Sequence, residues 1–297
     1  MRLLGLLLLI TIPLLHAEPK AIEDNSAEIP TTGLVPLRPA TEAQFAFLCL
    51  DNAKVAGSED LKASLVKWFR LNSADEIRKF SYKPESQSFS WGIGRSRFVA
   101  TLEALPIPND DIRYASNNSL HWPDAENQML KHNANYTITC VSIHRTPWHA
   151  ALDLSHALAA FSETHDTTGI YWGDAAIVHS PESFVKQADY QLGSPNKKVP
   201  SGLWVGILFE SDTKGGWNIF TDGMRTLGHK DIEIHSSQLA RTTLFATLNT
   251  LKHNILTNQL TLKNDLVIDG DDASKWKVTT GASVIGKTQP VWILTQQ

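Results

Sequence analysis

Cysteine is nearly absent from this 297-residue chain, which has only Cys49 and Cys140. That excludes a disulfide-dense scaffold and any zinc site built from cysteine clusters. An excess of either charge is also missing: 27 Lys and Arg against 31 Asp and Glu leave a formal charge of −4. The basic residues are scattered apart from Lys197-Lys198, whereas a nucleic-acid binder would show a basic stripe or patch. The composition therefore points away from nucleic acid. The short catalytic signatures are missing too: HExxH, CxxC, the Gly-x-Ser-x-Gly elbow, the phosphate loop and Gly-x-Gly-x-x-Gly. No cofactor or metal is expected.

There is one long apolar run, Leu3 to Leu15, which follows Arg2 and ends at small Ala17 before polar residues. This pattern reads as a signal peptide over residues 1–17, cleaved after Ala17. The run is shorter than the roughly 20 apolar residues a membrane span needs. Residues 18–43, with Pro19, Pro30, Pro36 and Pro39 and few aromatics, read as a flexible tether. The expected location is periplasmic or secreted, without a stable membrane anchor after cleavage. Losing Arg2 takes the formal charge from −4 to −5.

From Gln44 the pattern is that of an α+β fold. FAFLCL is a near-continuous apolar run, predicting a strand buried on both faces. Ser58 is placed to cap a helix over 59–70. SFSWGIG and RFVATLEAL form a hairpin, the later part of 110–132 is helical, and 135–143 is a strand. The order β-α-β-β-α-β is the ferredoxin-like arrangement, assigned to residues 44–146. Residues 147–297 give a second α+β unit: a linking helix from Trp148 to Phe161, a strand from Gly169 to Val178, a helix from Pro181, further strands, and a helix from Ala240 to Asn258. The pair reads as a duplicated ferredoxin-like unit.

In the ferredoxin-like arrangement the first and last strands are antiparallel neighbours, which would allow Cys49 and Cys140 to face each other as a disulfide. The other reading is two buried thiols.

His149, Asp153 and His156, at i, i+4 and i+7, share one helix face. Ala151, Leu154, Leu158 and Phe161 define the opposite face, so the polar stripe is expected to meet solvent. In His179-Ser180-Pro181-Glu182, Ser180 suits an N-cap, Pro181 the first helical position and Glu182 the positive helix end. Adjacent His179 and Ser180 point to opposite sides of an extended chain, which argues against a nucleophile and its base. Gly173-Asp174 reads as a turn. His121-Trp122-Pro123-Asp124 is a loop with Trp122 either anchored in the core or offered as an aromatic binding site, and Arg225 follows a strand-ending turn at Asp222-Gly223-Met224.

Four segments, HWPDA, GIYWGDAAIVHSPESF, LWVGILF and TDGMRTLGHKDIEI, in this order and spacing, resemble the bacterial domain of unknown function (DUF) 4261 family from about Gln44 onward. Members of that family are short and cytosolic in appearance, so the signal peptide and tether are a departure. The resemblance implies that the motif positions matter. It supplies no activity and no catalytic residues.

Together these features lead to the expectation of an exported, non-enzymatic protein-binding module of a bacterial envelope, an immunity or accessory protein of a toxin or secretion system. Its partner is another protein, recognised through Trp122, Asp124, Tyr171, Trp172, Asp174 and Arg225, because aromatic side chains dominate interface energetics. The alternative is an envelope hydrolase that gathers Asp124, Asp174 and His179, which requires all three to reach one substrate. A third reading is a structural envelope protein without a discrete site.

Overall fold

The computed structural model describes residues 43–143, 146–193, 199–213, 215–270 and 274–297, all within one compact unit. The expected signal peptide, and the tether as far as residue 42, lie outside the described residues. Among the described residues no helix is long and apolar enough to cross a membrane.

The chain is a mixed α+β protein with two sheets. The first contains β1 (Gln44–Leu50), β2 (Arg78–Lys83), β3 (Ser88–Ile93), β4 (Ser96–Glu103), β5 (Ala134–Ser142), β6 (Thr167–Trp172) and β7 (Ile177–His179). Their spatial order is β2-β3-β4-β5-β1-β6-β7, and every neighbouring pair is antiparallel. A ferredoxin-like unit is antiparallel too, but its first strand lies between the last strand and the second strand of the hairpin. Here β5 instead enters between β4 and β1 and bonds to both. The expected β1–β5 neighbourhood is present, in a different sheet order.

Register also separates the cysteines. Cys49 stands opposite Asn135 and Cys140 opposite Gln44, at the two ends of the β1–β5 ladder. Their side chains enter different apolar clusters, so a bridge between them is geometrically excluded. Each thiol is buried, and burial pushes the Cys49 thiol well above its ordinary pKa.

Helices α1 (Ser58–Phe69) and α4 (Pro147–Thr164) cover one face of this sheet, where Ala46, Leu48, Phe89, Ala100 and Ile138 are buried. The cap of α1 is Gly57 rather than Ser58, with Leu61 N–H donating to the Gly57 carbonyl at 3.0 Å. Short helices α2 (Asn109–Asn117) and α3 (Ala125–Met129) pack on the other face, over β6, β7 and the Cys49 end of β1. β1 is therefore buried on both faces only toward Cys49. At its start, Phe45 and Phe47 are half-exposed.

The second sheet has the order β11-β12-β13-β10-β9-β8, from β8 (Gly206–Ser211), β9 (Trp217–Asp222), β10 (Ile232–Ser237), β11 (Val267–Asp269), β12 (Lys275–Gly281) and β13 (Val291–Gln296). Only β10 and β13 run parallel. Helix α5 (Pro181–Gly193) follows β7, and Ser180 accepts the Ser183 N–H at 3.3 Å, as its capping role requires. Helices α6 (Ser201–Trp204) and α7 (Arg241–Leu256) complete the unit, with α7 against β8 and β9.

Two of the three residues in the polar stripe of α4 do not meet solvent, while His149 is half-exposed. Asp153 and His156 are buried, because β1 and β5, α1, α5 and the 3-10 turn Arg225–Leu227 surround the helix. Ser96 Oγ donates to Asp153 Oδ2 at 2.5 Å, and His156 packs edge-on against Phe69.

Gly223 sits where the two sheets meet, with φ of +105°, and a Cβ there would lie 2.5 Å from the Trp204 carbonyl oxygen. Gly223→Ala should cost about 3 kcal/mol or more, since strain and overpacking combine. Gly286 also has positive φ, at +76°, but has open space around it. Gly286→Ala should cost only about 1 to 2 kcal/mol. Urea unfolding of the two variants checks the contrast, and equal losses would contradict the Trp204 contact.

Candidate functional site

The uncovered part of the first sheet is the feature with the most to offer a partner. Side chains alternate along each strand, so register defines two cross-strand rows on this face. One runs Ser88, Thr101, Thr137, Phe47, Tyr171, Val178; the next runs Ser90, Val99, Thr139, Phe45. All but Val178 are half-exposed. The aromatics form a ladder: Phe45 and Phe47 meet edge to face at 5.8 Å, as do Phe47 and Tyr171, an arrangement that aromatic quadrupoles favour. Gly173 makes room for it, because a Cβ at that position would lie 2.2 Å from the Phe45 ring.

Acidic groups border the ladder. Burial first, then the nearby Asp111 and Asp222 carboxylates, push the Tyr171 hydroxyl above its ordinary pKa. Asp111 itself is raised by burial and by neighbouring Asp110. The Asp222 carboxylate at the end of β9 is itself ion-paired to Lys287 at 2.9 Å.

The structure separates the other residues expected from the sequence. Trp172 points the opposite way from Tyr171 and is fully buried, 6.4 Å from the ring of Trp204, so it contributes core packing and no surface contact. Trp122 is half-buried in the cluster formed by Cys49, Ile112, Met129 and Val178, over Gly169. Asp124 is exposed at the start of α3, accepting from Gln128 at 2.6 Å and Asn127 at 2.9 Å, which holds its carboxyl below the usual range. Asp174 lies in the 3-10 turn Gly173–Ala175, and its side chain is outside the described residues. Arg225 is exposed on its 3-10 turn, which docks beside α4 and is tied to β1 by Gln44 Nε2 donating to the Thr226 carbonyl at 2.9 Å. The hydrolase set is not assembled: Asp124 bonds to its own helix, whereas His179 is fully buried and bonds elsewhere.

That elsewhere is a basic constellation the sequence did not reveal. His179 Nε2 donates to the Leu203 carbonyl at 3.2 Å, and a carbonyl can only accept, so Nδ1 is the acceptor for His121 Nε2 at 3.0 Å. Lys252 on α7 is buried and donates to the Val205 carbonyl at 3.0 Å. Burial lowers it to about 8. Burial, then the His121 and Lys252 charges, lower His179 to about 3, with the Leu203 carbonyl opposing. Burial and Lys252 lower His121 as well. Among the described residues no carboxylate hydrogen-bonds to any of the three, so the interior keeps the His179 imidazole neutral, whereas His121 lies at the surface. The available signal was Lys252 on the apolar stripe of Leu248, Leu251 and Ile255. Among the described residues no group of three or more His, Cys, Asp or Glu could hold a metal ion.

Comparison with family models, with curated proteins and with solved structures finds no match.

His179 and His156 titrate at 6.5 in ordinary surroundings but at about 3 and about 4 in the fold. The unfolded chain therefore takes up protons that the native chain refuses. This share of stability is complete above pH 6.5 and is lost as the pH falls toward 4 and then 3. Urea unfolding should show a loss of up to about 1.4 kcal/mol per pH unit for each imidazole. His156→Leu should remove one share of that slope, and an unchanged slope would contradict the cause.

Proposed function

We propose that the chain is an exported, non-enzymatic protein-binding module of a bacterial envelope, acting as an immunity or accessory protein of a toxin or secretion system, and that the uncovered face of the first sheet is its recognition surface. One observation carries this reading: the half-exposed ladder of Phe45, Phe47 and Tyr171, which runs out from the edge of the cluster under α2 and α3. Aromatic rings lose little conformational entropy on docking and bury large areas, which is why they anchor interfaces.

The occupant is a basic protein. The Asp111 carboxylate acts on Tyr171 and the chain carries a formal charge of −4, so a cationic surface would be steered onto this face, while Asp110 and Asp222 are paired within the chain to Arg113 and Lys287. The resemblance to the DUF4261 family is compatible with this reading, with Tyr171 inside one of the shared segments and Asp222 inside another.

The test uses residues 18–297 as tagged bait in envelope extract, wild type beside a Phe45→Ala, Tyr171→Ala double variant. The expected result is one near-stoichiometric basic partner, bound at least about thirtyfold more weakly by the double variant, with the thermal midpoint of the variant showing that it is folded. Equal capture by both chains, or no partner for either, would overturn the proposal.

A further inference from the structure

The same face turns basic at its other corner. At the tip of the β3–β4 hairpin a shallow groove of about 410 Å³ is lined by Arg78, Gly94, Arg95, Arg97 and Ile143. Arg78 and Arg97 both stand opposite Gly92, one from β2 and one from β4. The missing side chain at Gly92 is what lets Arg97 lie across the strand, because a Cβ there would come within 3.0 Å of Arg97 Nη1. Arg78 donates to the Gly94 carbonyl and Arg97 to the Ser96 carbonyl, the latter at 3.1 Å. These bonds hold both forks at the groove while using few of the five N–H donors each guanidinium carries.

Three exposed guanidinium groups thus share one groove, and among the described residues none of them is ion-paired to a carboxylate. Like charges gathered this way repel, in a chain whose overall charge has the opposite sign. An oxyanion relieves that repulsion and fills the open donors. Planar forks suit the paired oxygens of a phosphate far better than an ammonium group does. Ile143, 41% exposed, adds an apolar wall beside the charges. A bare ion would leave that wall unused.

We propose that this groove is a binding site for a small organic phosphoester, its phosphate held by Arg78, Arg95 and Arg97 and its apolar group resting on Ile143. The proposal stands independently of the protein-binding reading, because it concerns other residues and another ligand.

The test is calorimetric titration of the full folded chain with phenyl phosphate, inorganic phosphate and phenol at low ionic strength. Phenyl phosphate should bind saturably and more tightly than inorganic phosphate, with phenol silent. Arg95→Ala and Arg97→Ala should each weaken phenyl phosphate about tenfold or more, and Arg97→Lys should not restore it, since charge alone lacks the fork. Arg95 projects at the hairpin tip, so its variant keeps the test valid should Arg97→Ala lower the thermal midpoint. No saturation up to about 10 mM phenyl phosphate, or affinity unchanged in the Arg95→Ala and Arg97→Ala variants, would overturn the site. Equal affinity for inorganic phosphate would overturn its assignment to a phosphoester.

Discussion

The ring of Phe161 lies within 5.2 to 6.1 Å of Tyr136, Trp91, His165 and Phe89, and this aromatic contact fixes where α4 sits against the first sheet. Much else follows from that placement. A helix surrounded on every side has no face on which to leave polar groups in water, so its buried polar groups either find a partner within the protein or stay uncharged. Ser155 donates back to the Ala151 carbonyl and accepts from Trp204 Nε1 at 2.8 Å, which ties α6 to the helix. Asp153 takes the Ser96 hydroxyl. His156 remains uncharged, with its Nε2 unpartnered.

Contacts between the two sheets use the same economy. Gln44 reaches the Thr226 carbonyl and His179 the Leu203 carbonyl, while Asn118 accepts the Phe209 N–H at 3.4 Å. These are hydrogen bonds between neutral groups, which suits a dry seam better than ion pairs would. Because the cover of the first sheet is concentrated on the α4 side, its reverse face is only partly closed by two short helices. The aromatic ladder is open as a result.

Much of the local structure was legible in the sequence. Period and punctuation located β1, the β3–β4 hairpin, α5 with its Ser180 cap, and α7. In Arg78–Lys83 only Phe80 and Tyr82 alternate with polar residues, too short a pattern to mark a strand, and the segment forms an edge strand whose pairing depends on β3. Leu203 and Trp204 belong to α6, with their side chains drawn into the core beside α4. Sheet order was not legible, since nothing local to β5 states that it bonds to both β4 and β1. The face of a residue was legible only where alternation was applied: the rule that separates His179 from Ser180 also separates Tyr171 from Trp172, sending one to the surface and the other to the core. The stripe on α4 misled because a helix enclosed on all sides buries polar and apolar faces alike.

The position of β13 has a consequence for biosynthesis. This strand lies inside the second sheet, between β12 and β10, yet it is the last in chain order. Without it the sheet is a β11–β12 hairpin and a separate β8–β9–β10 meander. A ribosome releases the strands of the first sheet by His179, and domains form in the order in which their parts emerge. The inward side chains of the meander, among them Ile207, Ile219 and Ile234, have no completed sheet until Val291–Gln296 arrives. Closing that distant parallel pairing is the slow kind of step. The nascent chain therefore passes through an interval in which a chaperone that grips extended apolar strands has a natural point of engagement.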